Sequence, residues 1–469
     1  VKFINTAIMT VMASVPLAAQ CAEQHHFNRV ASFPICTQLE ENCNIDDETA
    51  AEIVAAGPLG RILIYTDSPR SSLGFVSIAD PSSPQGIGTL TLEGEPTSVA
   101  VKGLYSLVAV NTSADFVNPS GHLFVVNIFS QRVVHRIDLG GQPDSVAISP
   151  DKKYAAVVIE NERDEDLGNG EPPQLPAGKL VIVNMADKNP KKWVATTVDL
   201  SGLAQLFAGD PEPEYVDINQ DNIAVVTLQE NNHLVLVDLE TSEALEHFSA
   251  GSVNLTHVDN TEEDPSIISL TETLAAVPRE PDGVVWTSEN YFATADEGDL
   301  NGGSRGFTIF GKDGSIVYTS GNWLEHLTTR LGHYPDRRSG NKGNEPENVT
   351  VGQYGDETLL FVNSERSSLV FVYNVNNPSS SILRQILPTG VAPEGGLTIA
   401  KRNLLIVSSE EDNRGDKIRS VLNIYERQTG PANYPTLQSV DRVDGTPIPW
   451  GALSGLAADP DSTDVLYSI

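Results

Sequence analysis

QPDSVAISPDKKYAAVVIENE, residues 142–162, holds a proline–acid turn, a short apolar run, a tight polar turn, a β-branched run and an acidic loop. GKLVIVNM (178–185) and WVATTVDL (193–200) then add two more runs of the same kind. Short Val/Ile/Leu/Tyr-rich segments bounded by Gly, Pro, Asn and Asp have strand chemistry. The unit returns as PEPEYVDINQDNIAVVTLQEN (211–231), REPDGVVWTSENYFATADEGD (279–299), NEPENVTVGQYGDETLLFVNSER (344–366) and VAPEGGLTIAKRNLLIVSSEED (391–412). Weaker copies stand at TAAEIVAAGPLGRILIYTDS (49–68) and GEPTSVAVKGLYSLVAVNTS (94–113). Four strands per unit, seven times over, predict an all-β fold, a seven-bladed β-propeller of four-stranded antiparallel blades. The blades are expected at 49–94, 95–141, 142–208, 209–279, 280–343, 344–391 and 392–443, with FNRVASFPI (27–35) as an outer strand that closes the ring. A pair of β-sandwiches would give no reason for each unit to open alike as P-[DE]-x-[VIL]. Only 264–277 and 323–331 offer room for short helices.

The chain of 469 residues carries 63 Asp and Glu against 30 Lys and Arg, a net charge of −33. Such a field repels nucleic acid and anionic lipid and attracts cations or basic partners. Lys2, the apolar AIMTVMASVPLAA (7–19) and small residues near Ala18–Ala22 read as an export signal over 1–22, although Val1 stands where Met is usual. LAAQC (17–21) approaches a lipobox, but Gln20 occupies the position before Cys21 that wants a small residue. The mature protein is therefore expected in the periplasm or secreted, with no transmembrane segment. Cleavage after Ala22 leaves Cys36 and Cys43 within the N-terminal segment 23–48, as a local disulfide or as free thiols. An oxidising compartment and the short spacing favour the bridge.

Strand order turns the repeat into chemistry. In an up-and-down blade, the loop entering the first strand and the loop between strands two and three share one face. The entering turns carry Glu95, Asp144, Glu212, Glu214, Glu280, Asp282, Glu345, Glu347 and Glu394. The second-to-third loops carry Glu160, Glu162, Glu230, Asp296, Glu297, Asp299, Glu365, Glu410, Glu411 and Asp412. Two carboxylates about 4 Å apart repel by about 4 kcal/mol at an effective dielectric near 20. One crowded channel mouth must then find cations, raised pKa values or arginine partners. Three readings stay open: a structural network with arginines as counterions, a Ca²⁺ site, or a metal site that also activates a phosphate ester. Asp296, Glu297, Asp299, Glu345, Glu347, Glu411 and Asp412 are the candidate metal ligands.

Other catalytic signals are weak. GGSRG (302–306) matches G-x-S-x-G, yet a nucleophile elbow leads into a helix, and after Ser304 and Arg305 the strand-like FTIF resumes. DLNGG (299–303) resembles an EF-hand loop without its closing Glu. His333 lies in LGHYPDRRSGNKG (331–343), a basic loop beside NEPEN that either faces an anion or belongs to a salt-bridge network. Arg305, Arg366 and His333 are the candidate catalytic groups.

ADEGDLNGGSRGFTIF (295–310), NKGNEPENVTVG (341–352), LFVNSERSSLVFVYNVNNP (360–378), and APEGGLTI with LLIVSSEED (392–399, 404–412) together resemble the bacterial choice-of-anchor I propeller family. That family is related to mesenchyme-specific cell-surface glycoproteins and alkaline-phosphatase-like proteins. The resemblance spans 49–443 and implies an exported propeller. PIPWGALSGLAADPDSTDVLYSI (447–469) resembles the opening of a phytase-like domain with esterase-like activity, so 444–469 is expected to be its truncated start. The phytase-like resemblance implies a parent protein that handles phosphate esters; if the propeller itself is catalytic, metal held by Glu297/Asp299, Glu345/Glu347 and Glu411/Asp412 would polarise the ester, and Arg305 and Arg366 would steady the developing charge. The contrary expectation is a noncatalytic propeller that recognises a protein, glycan or cell-surface partner. One departure is that the Glu345-Pro346-Glu347 triplet has PEGG as its counterpart at 393–396.

Overall fold

Seven four-stranded antiparallel sheets form the propeller, and in six of them the strands pair in chain order. The computed structural model describes residues 24–434 and 436–468, so the export signal expected at 1–22 lies outside the described residues. Blade three shows the plan, with strands Pro143–Ile148, Tyr154–Ile159, Lys179–Asn184 and Val194–Asp199 from axis to rim. Its two middle strands are continuous apolar runs because a blade covers them on each side. Outer strands such as Arg132–Asp138 in blade two alternate exposed with half-buried residues. Seven apolar clusters fill the seven gaps between neighbouring blades. Ala156, Val158, Leu180 and Ile182 of blade three, for example, pack on Val226, Val235 and Val237 of blade four. Full burial of each Val, Leu or Ile contributes about 1.5–3 kcal/mol.

The recurring proline has a geometric role. Register slips in the innermost strand at Pro96/Ser98, Pro143/Val146, Pro213/Val216, Pro346/Val349 and Pro393/Gly396. An innermost strand has one free edge, so it tolerates a residue that donates no hydrogen bond. The local bulge then re-aims the next side chain toward the axis.

The seventh blade closes the ring. Pro393–Ile399, Leu404–Ser409 and Val421–Thr429 take their outer neighbour from the N-terminal strand His25–Pro34, paired from His25 opposite Thr429 to Pro34 opposite Val421. Phe27 of that strand packs edge-on against Tyr354 and Phe361 of blade six, at 5.2 and 5.3 Å. A disulfide links Cys36 and Cys43 just beyond it.

Trp323–Leu331 is an α-helix, ended by left-handed Gly332 (φ 72°), whose N–H reaches the carbonyls of Thr328 and Thr329. The helix expected over 264–277 does not form. Glu272–Pro278 instead pairs with Ser252–Val258 as a hairpin, in which Leu255 and Val258 are buried and Val253, Leu274 and Val277 half-buried. Beyond Thr429 the chain crosses back to the helix, where Trp450 Nε1 donates to Arg330 O at 2.9 Å and Arg330 pairs with Asp441 at 2.7 Å. A small exposed hairpin, Leu456–Ala458 with Leu466–Ser468, follows. Among the described residues no helix is long and apolar enough to cross a membrane.

Candidate metal centre in the channel

The residues after the prolines, Asp144, Glu214, Glu347 and Glu394 at bulges and Asp282 just ahead of the strand Val284–Trp286, converge on a cavity of about 170 Å³ at the propeller axis. Thr97 takes the corresponding place in blade two. The residue just past the second strand, such as Glu160 or Glu297, adds a second set of carboxylates. Two trios result: Asp144, Glu160 and Glu214 on blades three and four, and Asp282, Glu297 and Glu347 on blades five and six. Within each trio, one oxygen per side chain lies within 4.8 Å of the others.

The electrostatics follow from crowding in a half-buried space. Burial, then Glu162, pushes Asp144 up to about 7. Burial also holds Glu160, Glu214, Asp282 and Glu347 well above the ordinary carboxylate range, with neighbouring acids adding to it. Glu52, at the opening of blade one without a preceding proline, accepts from Ser68 and from Thr66 (3.3 Å) and rises to about 8 through burial, with Glu410 and Asp67 adding to it. Lys342 reaches the second trio, its Nζ lying 2.9 Å from Glu297 and 3.7 Å from neighbouring Asp299. Burial opposes the Lys342 charge, but Glu297, Asp299 and Glu345 outweigh it and raise its pKa. Gln229 Nε2 also donates to Glu297, at 2.9 Å.

Of the ligands expected from sequence, Glu297 and Glu347 stand together, and Asp282 completes their group. The others are held elsewhere. Asp296 is fully buried and accepts from Thr294 (2.6 Å), Ser304 (2.7 Å) and Thr308 (2.6 Å), with Arg279 3.8 Å away. This contact also occupies the hydroxyl of the G-x-S-x-G match. Asp299 pairs with Arg163 and Lys342. Glu345 sits between Arg338 and Arg366, and Asp412 is held by Arg419 and by the backbone and hydroxyl of Thr49. Glu411 is half-buried and belongs to neither trio.

The candidate catalytic groups are similarly engaged. Arg305, 1% exposed, pairs with Glu325 at 3.2 Å and donates to the carbonyls of Asp259 (2.8 Å) and Ser339 (2.7 Å). Arg366 bridges Glu345 and Glu365, each at 2.9 Å, and exposed His333 places Nδ1 2.9 Å from Ser367 O. Asp144, Glu160, Glu214 and Asp282 were visible in the sequence as loop acids. What singles out three of them is their place directly after a proline.

A family model for the choice-of-anchor I domain matches residues 52–302 and 300–378. The chain belongs to the choice-of-anchor I family. Membership suggests a cell-surface or secreted protein. Solved structures similar to this choice-of-anchor I chain include the WD40 repeats of RRP9, at TM-score 0.56 and 9% identity over 81% of this chain and 95% of that one. U3-55K gives 0.54 and 10% over 81% and 95%. Kuenenia stuttgartiensis hydrazine synthase gives 0.51 and 13% over 82% and 99%. Such low identities establish likeness of fold alone. No curated protein matches the sequence.

Proposed function

We propose that this choice-of-anchor I chain is an exported propeller that binds Ca²⁺ in its channel and uses the ion to hold a phosphate-bearing ligand. The Asp282/Glu297/Glu347 trio carries the reading. Three hard oxygen donors, with neither His nor Cys lining the cavity, suit Ca²⁺, which accepts many oxygens in irregular geometry. Gln229 and Asn348 line the same space and offer neutral amide oxygens. A phosphate ester is the ligand class that the phytase-like resemblance of 447–469 implies, and a bound cation would polarise a phosphate oxygen toward hydrolysis. A second reading, a noncatalytic propeller that recognises a protein, glycan or cell-surface partner, draws on the internal commitment of Arg305 to Glu325 and two carbonyls.

The test is thermal unfolding with Ca²⁺ and with chelator, on the parent and Glu347→Gln, alongside hydrolysis of p-nitrophenyl phosphate. At 100 times its Kd the ion should stabilise the parent by about 2.7 kcal/mol, and Glu347→Gln should lose most of that gain. Turnover that depends on Ca²⁺ supports the hydrolase. Stabilisation without turnover leaves the binding propeller, and no stabilisation refutes the metal site.

A further inference from the structure

The acidic mouth has a counterpart at the other end of the propeller. In each blade the turns after strand one and after strand three lie on the face away from the mouth, and around blades seven, one, two and three they carry cations. Lys401 and Arg402 stand in such a turn of blade seven, and Arg61 in that of blade one. Blade two adds Lys102 and Arg132, which flank its two turns. Blade three adds Lys152 and Lys153 in one turn and Lys188, Lys191 and Lys192 in the other. The acids among them are largely committed: Asp80 accepts from Ser82, Asp151 pairs with Lys153 at 3.0 Å, and Asp187 pairs with Lys192 at 3.3 Å. Arg61, Arg132, Lys188, Lys191 and Lys401 are exposed and make no ion pair among the described residues. In blades four and six the same turns carry Asp221, Glu240 and Asp356, so the basic area covers one side of this face.

Contacts between the blades join these turns into one surface and set cation beside cation. Lys102 Nζ donates to Lys152 O and lies 5.9 Å from the centre of the Trp193 ring; burial, then Lys152, lowers its pKa. Arg402 donates to the carbonyls of Gly60 (2.5 Å), Ile78 (2.8 Å) and Ala79 (3.3 Å) of blade one. Burial, then Arg61, lowers the Arg402 pKa, with Glu426 opposing the fall. Apolar tips project among the cations. Leu59 is 83% exposed, Phe129 64% and Leu104 52%, each in a turn of blade one or two. The Leu104 carbonyl accepts from Ile128 N at 3.0 Å, which brings Leu104 beside Phe129. Leu59 holds φ 61°, a conformation that favours glycine, yet a leucine stands there with its side chain in solvent.

We propose that this face docks on an anionic lipid surface, with Leu59, Leu104 and Phe129 entering the interface and the surrounding lysines and arginines lying against the headgroups. Apolar tips ringed by cations match the two layers of such a surface, anionic phosphate over hydrocarbon, whereas a soluble polyanion engages the cations alone. The net charge of −33 is unevenly placed and does not oppose this. The acids of the mouth lie a strand length away, about 20 Å for the six residues Tyr154–Ile159. Exposed charges are screened over about 8 Å at physiological ionic strength, so the near face decides the attraction. A propeller docked in this way turns its acidic mouth away from the bilayer.

Co-sedimentation of the full chain with vesicles tests this, in chelator throughout so that no ion at the mouth bridges the chain to phosphate. One set of vesicles is phosphatidylcholine alone, and the other has equal parts of phosphatidylcholine and phosphatidylglycerol. The parent should bind the mixed vesicles and not the neutral ones, more weakly as salt is added. Lys188→Gln/Lys191→Gln should weaken binding about 25-fold, at about fivefold per lysine near the surface. Leu59→Gly/Phe129→Ser keeps every charge and should weaken it about tenfold or more through lost apolar burial. Each variant's thermal transition shows that it is folded before its binding is measured. A parallel titration with soluble heparin separates the two sources of negative charge. Heparin binding as tight as vesicle binding, with Leu59→Gly/Phe129→Ser undiminished on vesicles, overturns the lipid surface in favour of an acidic macromolecule. No binding to the mixed vesicles, or binding that Lys188→Gln/Lys191→Gln leaves intact, overturns the docking face itself.

Discussion

Replacing Arg305 with Met tests whether this guanidinium is an internal counterion or an anchor for a bound anion. Arg305 and Glu325 are 1% and 0% exposed and 3.2 Å apart. The arginine also ties the carbonyls of Asp259 and Ser339, which come from the segments flanking blades five and six. Arg305→Met leaves the Glu325 charge buried, and its Oε2 already has no partner among the described residues. Breaking a buried pair from one side costs about 3–5 kcal/mol. Burial raises the Glu325 pKa and Arg305 pulls it back, so removing Arg305 raises it further. The variant's native state then holds a proton that its unfolded state releases, so the loss is largest at pH 8 and shrinks toward pH 5. Urea unfolding at both pH values reads the difference, and Arg305→Met/Glu325→Leu should recover much of it, since no charge is left stranded. A loss below about 1 kcal/mol, the same loss at both pH values, or no recovery in the double variant would refute the counterion role. An anion anchor would behave differently, with stability kept and protection by phosphate lost.

Three further outcomes are expected. Burial sets the folded pKa of both Glu52 and Glu365 at about 8, above the ordinary 4.5, so the native state holds protons through that window that the unfolded chain lacks. Metal-free protein should therefore lose stability as pH rises from about 4.5 to 8; thermal unfolding in chelator that instead shows stability rising across this range would contradict it. Phe27→Ala removes a ring that is 2% exposed and lodged against Tyr354 and Phe361, and should cost about 3–5 kcal/mol by chemical denaturation. Cys36→Ser/Cys43→Ser opens a bridge with a sequence separation of 7, a short loop whose closure is worth about 2.5 kcal/mol; a melting temperature equal to the parent's would show that the bridge adds nothing.

The blades were legible because each proline–acid opening precedes two apolar runs buried on both faces, a pattern set by local chemistry. The face that gathers the acids followed from strand order alone. What each acid does there was not legible, because it depends on partners far along the chain. Asp296 looks like a free loop carboxylate, yet the hydroxyls of Thr294, Ser304 and Thr308 converge on it once strands 291–296 and 306–311 pair. Glu345 and Glu347 differ by two positions, and the bulge sends one to Arg338 and Arg366 and the other to the axis. Glu52 escaped notice because Ala51 stands where other blades have proline. The hairpin partner ETLAAVP (272–278) has helix-favouring Leu and Ala, and pairing with 252–258 overrides that preference.

The seam in blade seven also sets an order of events. Six blades can be assembled from neighbouring residues as the chain emerges, but the last needs residues 25–34 beside 421–429. A polypeptide delivered N-terminus first carries Phe27 and Phe33 on an unpaired strand until nearly the whole propeller is available. During that interval the waiting strand is an open edge, able to join another copy's unfinished seventh blade. Ring completion is thus a long-range, late step, and exchange of this one strand between chains is the characteristic way for assembly to go astray.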